Sequence, residues 1–143
     1  MIRPFSYKEY VHIINWVKQN YKVLQFPDID SKTDNFCVIR HDVEYSINRA
    51  SKLAKLEADN GIQSTYLFQI RNNCYNALSV QNIPLIQEIH DMGHSIGLHV
   101  HCGLLHTYNT ITNMINQDID ILSNILKMNI NIFSFHRPSI ELL

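Results

Sequence analysis

The amino-acid sequence predicts an α/β fold in which about four parallel strands alternate with four helices, as in an incomplete β/α barrel. The length of 143 residues, 45% of them hydrophobic, suffices for a single domain with a core but not for two domains. Four short apolar runs, typical of buried strands, are separated by stretches with apolar residues at helical spacing. This alternation favours a parallel sheet, which can be open or curled into a barrel.

The predicted helices are bounded by capping and stop signals. The first is expected from about residue 7 to about residue 19, because Ser6 begins a Ser-x-x-Glu capping box. The second runs from about 47 to about 59 and ends at Asn60-Gly61. A third helix begins near Pro84 and ends at Gly93, and a fourth, of about 20 residues, carries an apolar stripe from Ile111 to Leu126.

The strands are predicted in the apolar runs between these helices. They cover residues 36–42, 65–70, 95–101 and 130–135. β-Branched and aromatic residues favour the second strand, and strict alternation of apolar with polar residues favours the third. Residues 21–34 contain Pro27 and several aspartates and are predicted to form a loop.

Composition argues against several classes of partner. A net charge of −1 offers no basic surface for a nucleic acid or a membrane. Cys37, Cys74 and Cys102 are widely spaced and odd in number, which indicates free thiols in a reducing compartment. The first residues lack the apolar stretch of a signal peptide, and no apolar run approaches the roughly 18 residues of a membrane span. We therefore expect a cytoplasmic protein without nucleic-acid or membrane partners.

Ionisable side chains collect where three of the predicted strands end. Asp42 and Glu44 end the first strand, His99 and His101 the third, and His136 follows the fourth. Functional groups of parallel α/β folds gather at the C-terminal ends of strands, so we expect these side chains to converge. Residues two apart in a strand share a face. Carboxylate oxygens together with two histidines form a normal ligand set for catalytic zinc.

Each of these features alone also has a structural explanation. A His-x-His pair on one strand is weak evidence for a metal, because histidine has many roles. Acidic residues after a strand often stabilise the start of the next helix. The joint occurrence of complementary ligands at three strand ends is what favours a metal site.

Three segments of the chain also follow one another in a recognisable order. The first is Arg40-His41-Asp42-Val43-Glu44, the second spans residues 93–99 and the third spans residues 133–138. Together they resemble the motifs of the polysaccharide deacetylase family, specifically the branch whose first motif reads R-H-D-V-D. The resemblance covers about residues 35 to 139. It implies a distorted β/α barrel and a metal-dependent hydrolase that removes an acetyl group from an N-acetylated sugar or related amide.

The resemblance also implies a role for individual residues. Asp42 falls on the family's general base, and Glu44 and His99 fall on ligands of a divalent metal, expected to be zinc. The basic residue that orients the base falls on His136 or Arg137. His136 is also the expected proton donor to the leaving amine, because the family's later motif with a general-acid histidine has no counterpart here.

The sequence departs from the family pattern in ways that keep alternatives open. Glu44 stands where the family usually has aspartate, and the usual second histidine ligand falls on Gly103. His101 or His106 is expected to replace it. Four strands cannot close a barrel, and barrel enzymes run to roughly 250 residues. We therefore expect a fragment, a truncated product or half of an assembly.

Two other functions remain possible from the sequence. One is another barrel-type metal-dependent amidohydrolase, although those enzymes usually carry the His-x-His pair on the first strand. The other is a non-catalytic half-barrel that binds a metal or a partner. Open sheet edges would favour self-association of such a half-barrel.

Overall fold

The computed structural model describes residues 6–103 and 107–138. Within these residues it contains four α-helices, six strands and a short 3-10 helix. In chain order they are α1 (Tyr7–Asn20), β1 (Lys22–Leu24), the 3-10 helix (Phe26–Asp28), β2 (Phe36–Val38), β3 (Arg40–Val43), α2 (Ile47–Asp59), β4 (Thr65–Phe68), α3 (Asn82–Asp91), β5 (Ser95–Val100), α4 (Tyr108–Leu126) and β6 (Phe133–Phe135). None of the described helices has the length and apolarity needed to cross a membrane.

Strands β3, β4, β5 and β6 form a parallel four-stranded sheet in that order, and this sheet is curled into a half-barrel. Asp42 lies opposite Leu67, Leu67 opposite Gly97, and His99 opposite Ser134. The predicted α/β class, with parallel strands alternating with helices, is confirmed. The parallel order brings the C-terminal ends of all four strands to one edge of the sheet.

The structure corrects the sequence prediction around the first strand. The expected strand 36–42 is two strands, because the chain changes partners at Ile39. β2 pairs in parallel with β1, whereas β3 pairs with β4, and the carbonyl of Ile39 accepts a hydrogen bond from the Thr65 amide. The prediction of a continuous loop over residues 21–34 was wrong, since that segment contains β1 and the 3-10 helix.

Smaller differences concern the ends of other strands. β4 ends at Phe68 instead of residue 70, and β6 begins at Phe133 instead of residue 130. Ile130 is buried, so its apolar character reflects packing outside the strand. The ladder between β5 and β6 starts where the Leu98 amide donates to the carbonyl of Ile132.

Apolar side chains fill the space between the convex face of the sheet and the helices. Tyr66, Phe68 and Ile96 of the sheet pack with residues of α2, α3 and α4 in one cluster. Leu98 and Val100 pack in a second cluster with three residues of α4, namely Ile111, Met114 and Ile115. Burying a leucine or isoleucine side chain contributes about 1.5–3 kcal/mol, so these contacts fix the helices on this face. The alternate positions face the concave side, and they include the polar residues Arg40, Asp42, His99 and Ser134 as well as Leu67 and Gly97.

A buried carboxylate lies within the convex side. Glu57 of α2 has no exposed surface, and its oxygens accept hydrogen bonds from the hydroxyls of Tyr10 and Tyr66, the latter at 2.7 Å. His41 Nε2 lies 2.7 Å from Glu57 Oε1. Burial opposes ionisation of Glu57, but hydrogen bonds and charge attraction from His41, and hydrogen bonds from the tyrosines, lower the pKa of this carboxyl. His41 therefore serves the packing of α1 and α2 on β3.

A buried histidine lies next to this carboxylate. His94 Nδ1 accepts a hydrogen bond from the Ser64 amide at 3.0 Å, and His94 Nε2 lies 3.0 Å from the carbonyl of Ala54. Because Nδ1 is an acceptor and Nε2 a donor, the ring is neutral in this arrangement. Burial lowers the pKa of His94. The ring joins α2, β4 and β5 through backbone groups.

Candidate metal centre

Three potential metal ligands converge at the C-terminal edge of the half-barrel. One ligand atom each from Glu44, His99 and His136 lies within 4.8 Å of the others. His136 Nδ1 is 2.7 Å from Glu44 Oε1, and His99 Nε2 is 3.3 Å from the same oxygen. His99 is 2% exposed, while Glu44 and His136 are half-buried. The group is therefore sheltered on one side and accessible on the other.

Backbone interactions at the strand ends hold two of these residues in place. The His136 amide donates to the carbonyl of Val100 at 2.7 Å, which extends the ladder between β5 and β6 by one residue. The side-chain amide of Asn72 donates to the Glu44 carbonyl at 3.0 Å. The Tyr75 hydroxyl donates to the carbonyl of Val43 at 2.5 Å, one residue before Glu44. These contacts hold Glu44 and His136 in position although both residues lie just beyond the paired residues of the strands.

A second group of polar side chains lies beside the three ligands. Arg40 makes a bidentate ion pair with Asp42, with distances of 2.7 Å from Nε to Oδ1 and 2.8 Å from Nη2 to Oδ2. Arg40 Nη2 also donates to Ser134 Oγ at 2.9 Å. Ser134 Oγ lies 2.9 Å from His99 Nδ1, and Asp42 Oδ2 lies 3.8 Å from His99 Nε2. Asp42 is thus fixed next to the ligand group from the same concave face.

The electrostatics of the site favour the protonation states that bind metals. Burial opposes ionisation of Glu44, but the hydrogen bond and charge attraction of His136, followed by those of His99, lower the pKa of this carboxyl. Burial lowers the pKa of His99, and attraction to Asp42 and Glu44 only partly opposes this effect. An ionised carboxylate and a neutral imidazole are the forms in which these residues act as ligands.

The donor set fits a divalent ion such as zinc. Ligands about 2.0–2.2 Å from a tetrahedral zinc lie roughly 3.4 Å from one another. The distance of 3.3 Å from Glu44 Oε1 to His99 Nε2 is close to this value, whereas the 2.7 Å from the same oxygen to His136 Nδ1 is a direct hydrogen bond that an ion would replace. If His99 Nδ1–H donates to Ser134 Oγ, the Nε2 lone pair is left for the ion, and this hydrogen bond to Ser134 orients the ring. Three protein ligands leave a fourth position for water, as catalytic zinc sites do.

The residues expected from the sequence occupy different parts of this centre. Asp42, Glu44, His99 and His136 come together, as their strand ends predicted. The exposed His101 stacks on the ring of His136, with ring centroids 5.0 Å apart and planes 20° apart.

Arg137 makes no contact with this group among the described residues. Arg137 is exposed, and its φ of 45° places it in the left-handed region. The guanidinium that pairs with the carboxylate of Asp42 is that of Arg40, two residues earlier on the same strand. His106, the other candidate for a second histidine ligand, lies outside the described residues.

Arg40 and Ser134 contact the predicted site residues, although no role was predicted for either of them. Because side chains alternate along a strand, Arg40 is expected on the same face as Asp42, and Ser134 on the same face as His136. This alternation was the feature of the sequence that could have predicted their place at the site. No family model matches this chain, and no curated protein or solved structure matches it either. A function must therefore be inferred from the chemistry of the site and the motifs that compose it.

Proposed function

We propose that this protein is a metal-dependent hydrolase that removes an acetyl group from an N-acetylated sugar or a related amide. The observation that carries the proposal is the convergence of Glu44, His99 and His136, with the Asp42 carboxylate 3.8 Å from His99. A ligand group with an adjacent acid that need not bind the ion is the arrangement that metal-assisted hydrolysis requires.

The ligand group in this proposal is Glu44, His99 and His136, holding zinc or a similar divalent ion. His136 is then the second histidine ligand, a role for which the resemblance suggested His101 or His106. A bound zinc would polarise the amide carbonyl and lower the pKa of the attacking water. The protein contributes the fixed positions of the three ligands and the hydrogen bond that orients His99.

Asp42 is the general base in this scheme. Its carboxylate takes one proton from water as the water oxygen bonds to the carbonyl carbon. The bidentate contact with Arg40 keeps the carboxylate oriented toward the ligand group. When the C–N bond breaks, the amine nitrogen takes a proton, and the products are acetate and the free amine. The exposed imidazole of His101, stacked beside His136, supplies that proton.

The substrate class is supported by the resemblance of three segments to deacetylase motifs and by the shape of the concave face. A cleft of about 460 Å³ is bordered by Arg40, Leu67 and Ser134 together with residues of the segment before β6 and the 3-10 helix. Its lining combines apolar side chains with a few polar groups, which is typical of small-molecule sites. Arg40 and Ser134 connect this cleft directly to the base and to His99.

The test is metal content per chain together with acetate release from N-acetylated sugars. We expect about one equivalent of zinc in the native protein, as the one ligand group among the described residues implies, and its loss in Glu44→Ala and His99→Ala. Asp42→Asn should retain the metal but lose activity by about 10²–10⁴-fold, because only the base is removed. A native protein that binds no more metal than the two ligand variants would contradict the proposal.

A further inference from the structure

The side chain of Gln69 contains an amide that is buried without a hydrogen-bond acceptor. Gln69 follows β4 and is 4% exposed, and its Nε2 has no partner among the described residues. Buried polar groups are paired in the great majority of cases, so an exception of this kind requires an explanation. An unpaired N–H group at a functional edge indicates a partner that binds there.

The orientation of this amide follows from its neighbours. Asn72 Oδ1 accepts hydrogen bonds from the backbone amides of Cys74 at 2.6 Å and Tyr75 at 3.1 Å, which identifies this atom as the oxygen. The other end of the Asn72 amide is therefore the donor, and it donates to Gln69 Oε1. The remaining atom of the Gln69 amide must then be its nitrogen. The unpaired group is a donor and not an acceptor.

The sheet register places Gln69 between two of the candidate ligands. Val43 pairs with Phe68 and Phe68 with Leu98, so the next position aligns Glu44, Gln69 and His99 across three neighbouring strands. The three residues share the concave face by alternation. The Glu44 carboxylate nevertheless bonds to the histidines and not to Gln69. The Gln69 N–H group thus lacks an acceptor among the described residues and is aligned with two of the candidate ligands.

Surrounding contacts prevent the Gln69 side chain from relaxing toward water. Asn72 is itself bound to the Glu44 carbonyl and to two backbone amides. The Gln69 backbone amide donates to the Tyr75 hydroxyl at 2.9 Å, and this hydroxyl donates to the Val43 carbonyl. Asn72 therefore fixes the orientation of the Gln69 amide through its oxygen, and the N–H group itself is buried in the absence of a ligand. Fixing a donor in advance lowers the cost of binding its acceptor.

We propose that Gln69 Nε2 donates a hydrogen bond to the carbonyl oxygen of the acyl group bound at the metal centre. The inference rests on the proposed function, since it requires a ligand at Glu44, His99 and His136. Gln69 would select a ligand with an acceptor oxygen directed at the space between β3 and β5. A purely structural glutamine would instead be expected to satisfy its own amide within the protein.

The experiment uses acetohydroxamate, an acetyl compound with a carbonyl oxygen, as the probe for the zinc-loaded protein. Its affinity is measured by calorimetry for the native protein, Gln69→Met and Thr65→Val. Thr65 is the matched control because it lies on the same strand, is fully buried and also has an unpaired hydroxyl, but stands at the opposite end of β4. Zinc affinity is measured separately by competition with a chelator.

We expect Gln69→Met to bind zinc like the native protein and acetohydroxamate about three- to tenfold more weakly, the net value of one hydrogen bond. Thr65→Val should bind both like the native protein. Equal acetohydroxamate affinity in native protein and Gln69→Met would overturn the role of Gln69 and leave the hydrolase proposal intact. Failure of the native protein to bind zinc would overturn both proposals.

A second variant covers the case in which Gln69→Met does not fold. Gln69→Glu keeps an oxygen for the Asn72 donor but removes the N–H group. It should weaken acetohydroxamate binding at least as much as the methionine variant. Unchanged binding in Gln69→Glu would contradict the inference just as directly.

Discussion

Replacing Glu57 by alanine removes the buried acceptor on which three donors converge. The hydroxyls of Tyr10 and Tyr66 and the imidazole of His41 all contact this carboxylate, which has no exposed surface. Each hydrogen bond to a charged group contributes about 1.5–3 kcal/mol, but the three share one acceptor and do not add. Breaking a buried charge pair by removing one partner costs about 3–5 kcal/mol, which is our expected loss in the free energy of unfolding.

That loss is large compared with the total stability of a domain, which is about 5–15 kcal/mol. Urea unfolding followed by far-ultraviolet circular dichroism measures it, provided that the slope with denaturant stays constant. Glu88→Ala is the control, because Glu88 is an exposed glutamate on helix α3 and should change the free energy by no more than about 0.5 kcal/mol. A loss below about 1 kcal/mol in Glu57→Ala would refute the reasoning, since no buried hydrogen-bonded charge could then be involved.

Three further results are expected. Gly97→Ala should lower the free energy of unfolding by about 1–3 kcal/mol in the same assay, because its Cβ would lie 2.4 Å from Leu67 Cδ2 and 2.8 Å from the Ile132 carbonyl oxygen; an unchanged midpoint would contradict this packing. His136→Ala should weaken zinc binding by more than roughly 10–100-fold, which is the loss expected when only a residue that orients a ligand is removed. His101→Ala should leave zinc binding nearly unchanged, and equal effects of the two substitutions would argue against His136 as the ligand. The pKa values of His94 and Glu57 are lowered in the folded protein, so the unfolded chain binds more protons than the folded protein at acidic pH. The urea midpoint should therefore fall as the pH drops below 6.5, and fall further below 4.5. A urea midpoint that does not depend on pH would exclude this coupling.

The sequence was informative wherever a local pattern decides the structure. The capping box at Ser6 marks the start of α1, and its two reciprocal hydrogen bonds are present. Alternation along the strands predicted that Asp42, Glu44, His99 and His136 would face the same side, because residue spacing alone sets that geometry. Four of the residues expected at the site therefore meet there.

Features that depend on distant partners could not be predicted in this way. β1 has only three residues and is defined by its pairing with β2, so no run of its own indicates a strand. The contact between His41 and Glu57 joins residues 16 positions apart across a strand and a helix. The unpaired amide of Gln69 becomes visible only when the side chains around it are placed. Each of these requires knowing which elements are neighbours in space.

The segment Arg40-His41-Asp42-Val43-Glu44 divides its side chains between two environments. His41 reaches the buried carboxylate of α2, whereas Asp42 and Glu44 reach the candidate metal centre on the other face of the same strand. A one-residue slip of β3 would exchange the two sets and place carboxylates in the apolar core. The contact of His41 with Glu57 thus helps to fix the register of β3, and with it the positions of Asp42 and Glu44 at the candidate metal centre. Screens that score metal retention should consequently detect substitutions at Glu57, a residue that touches no ligand.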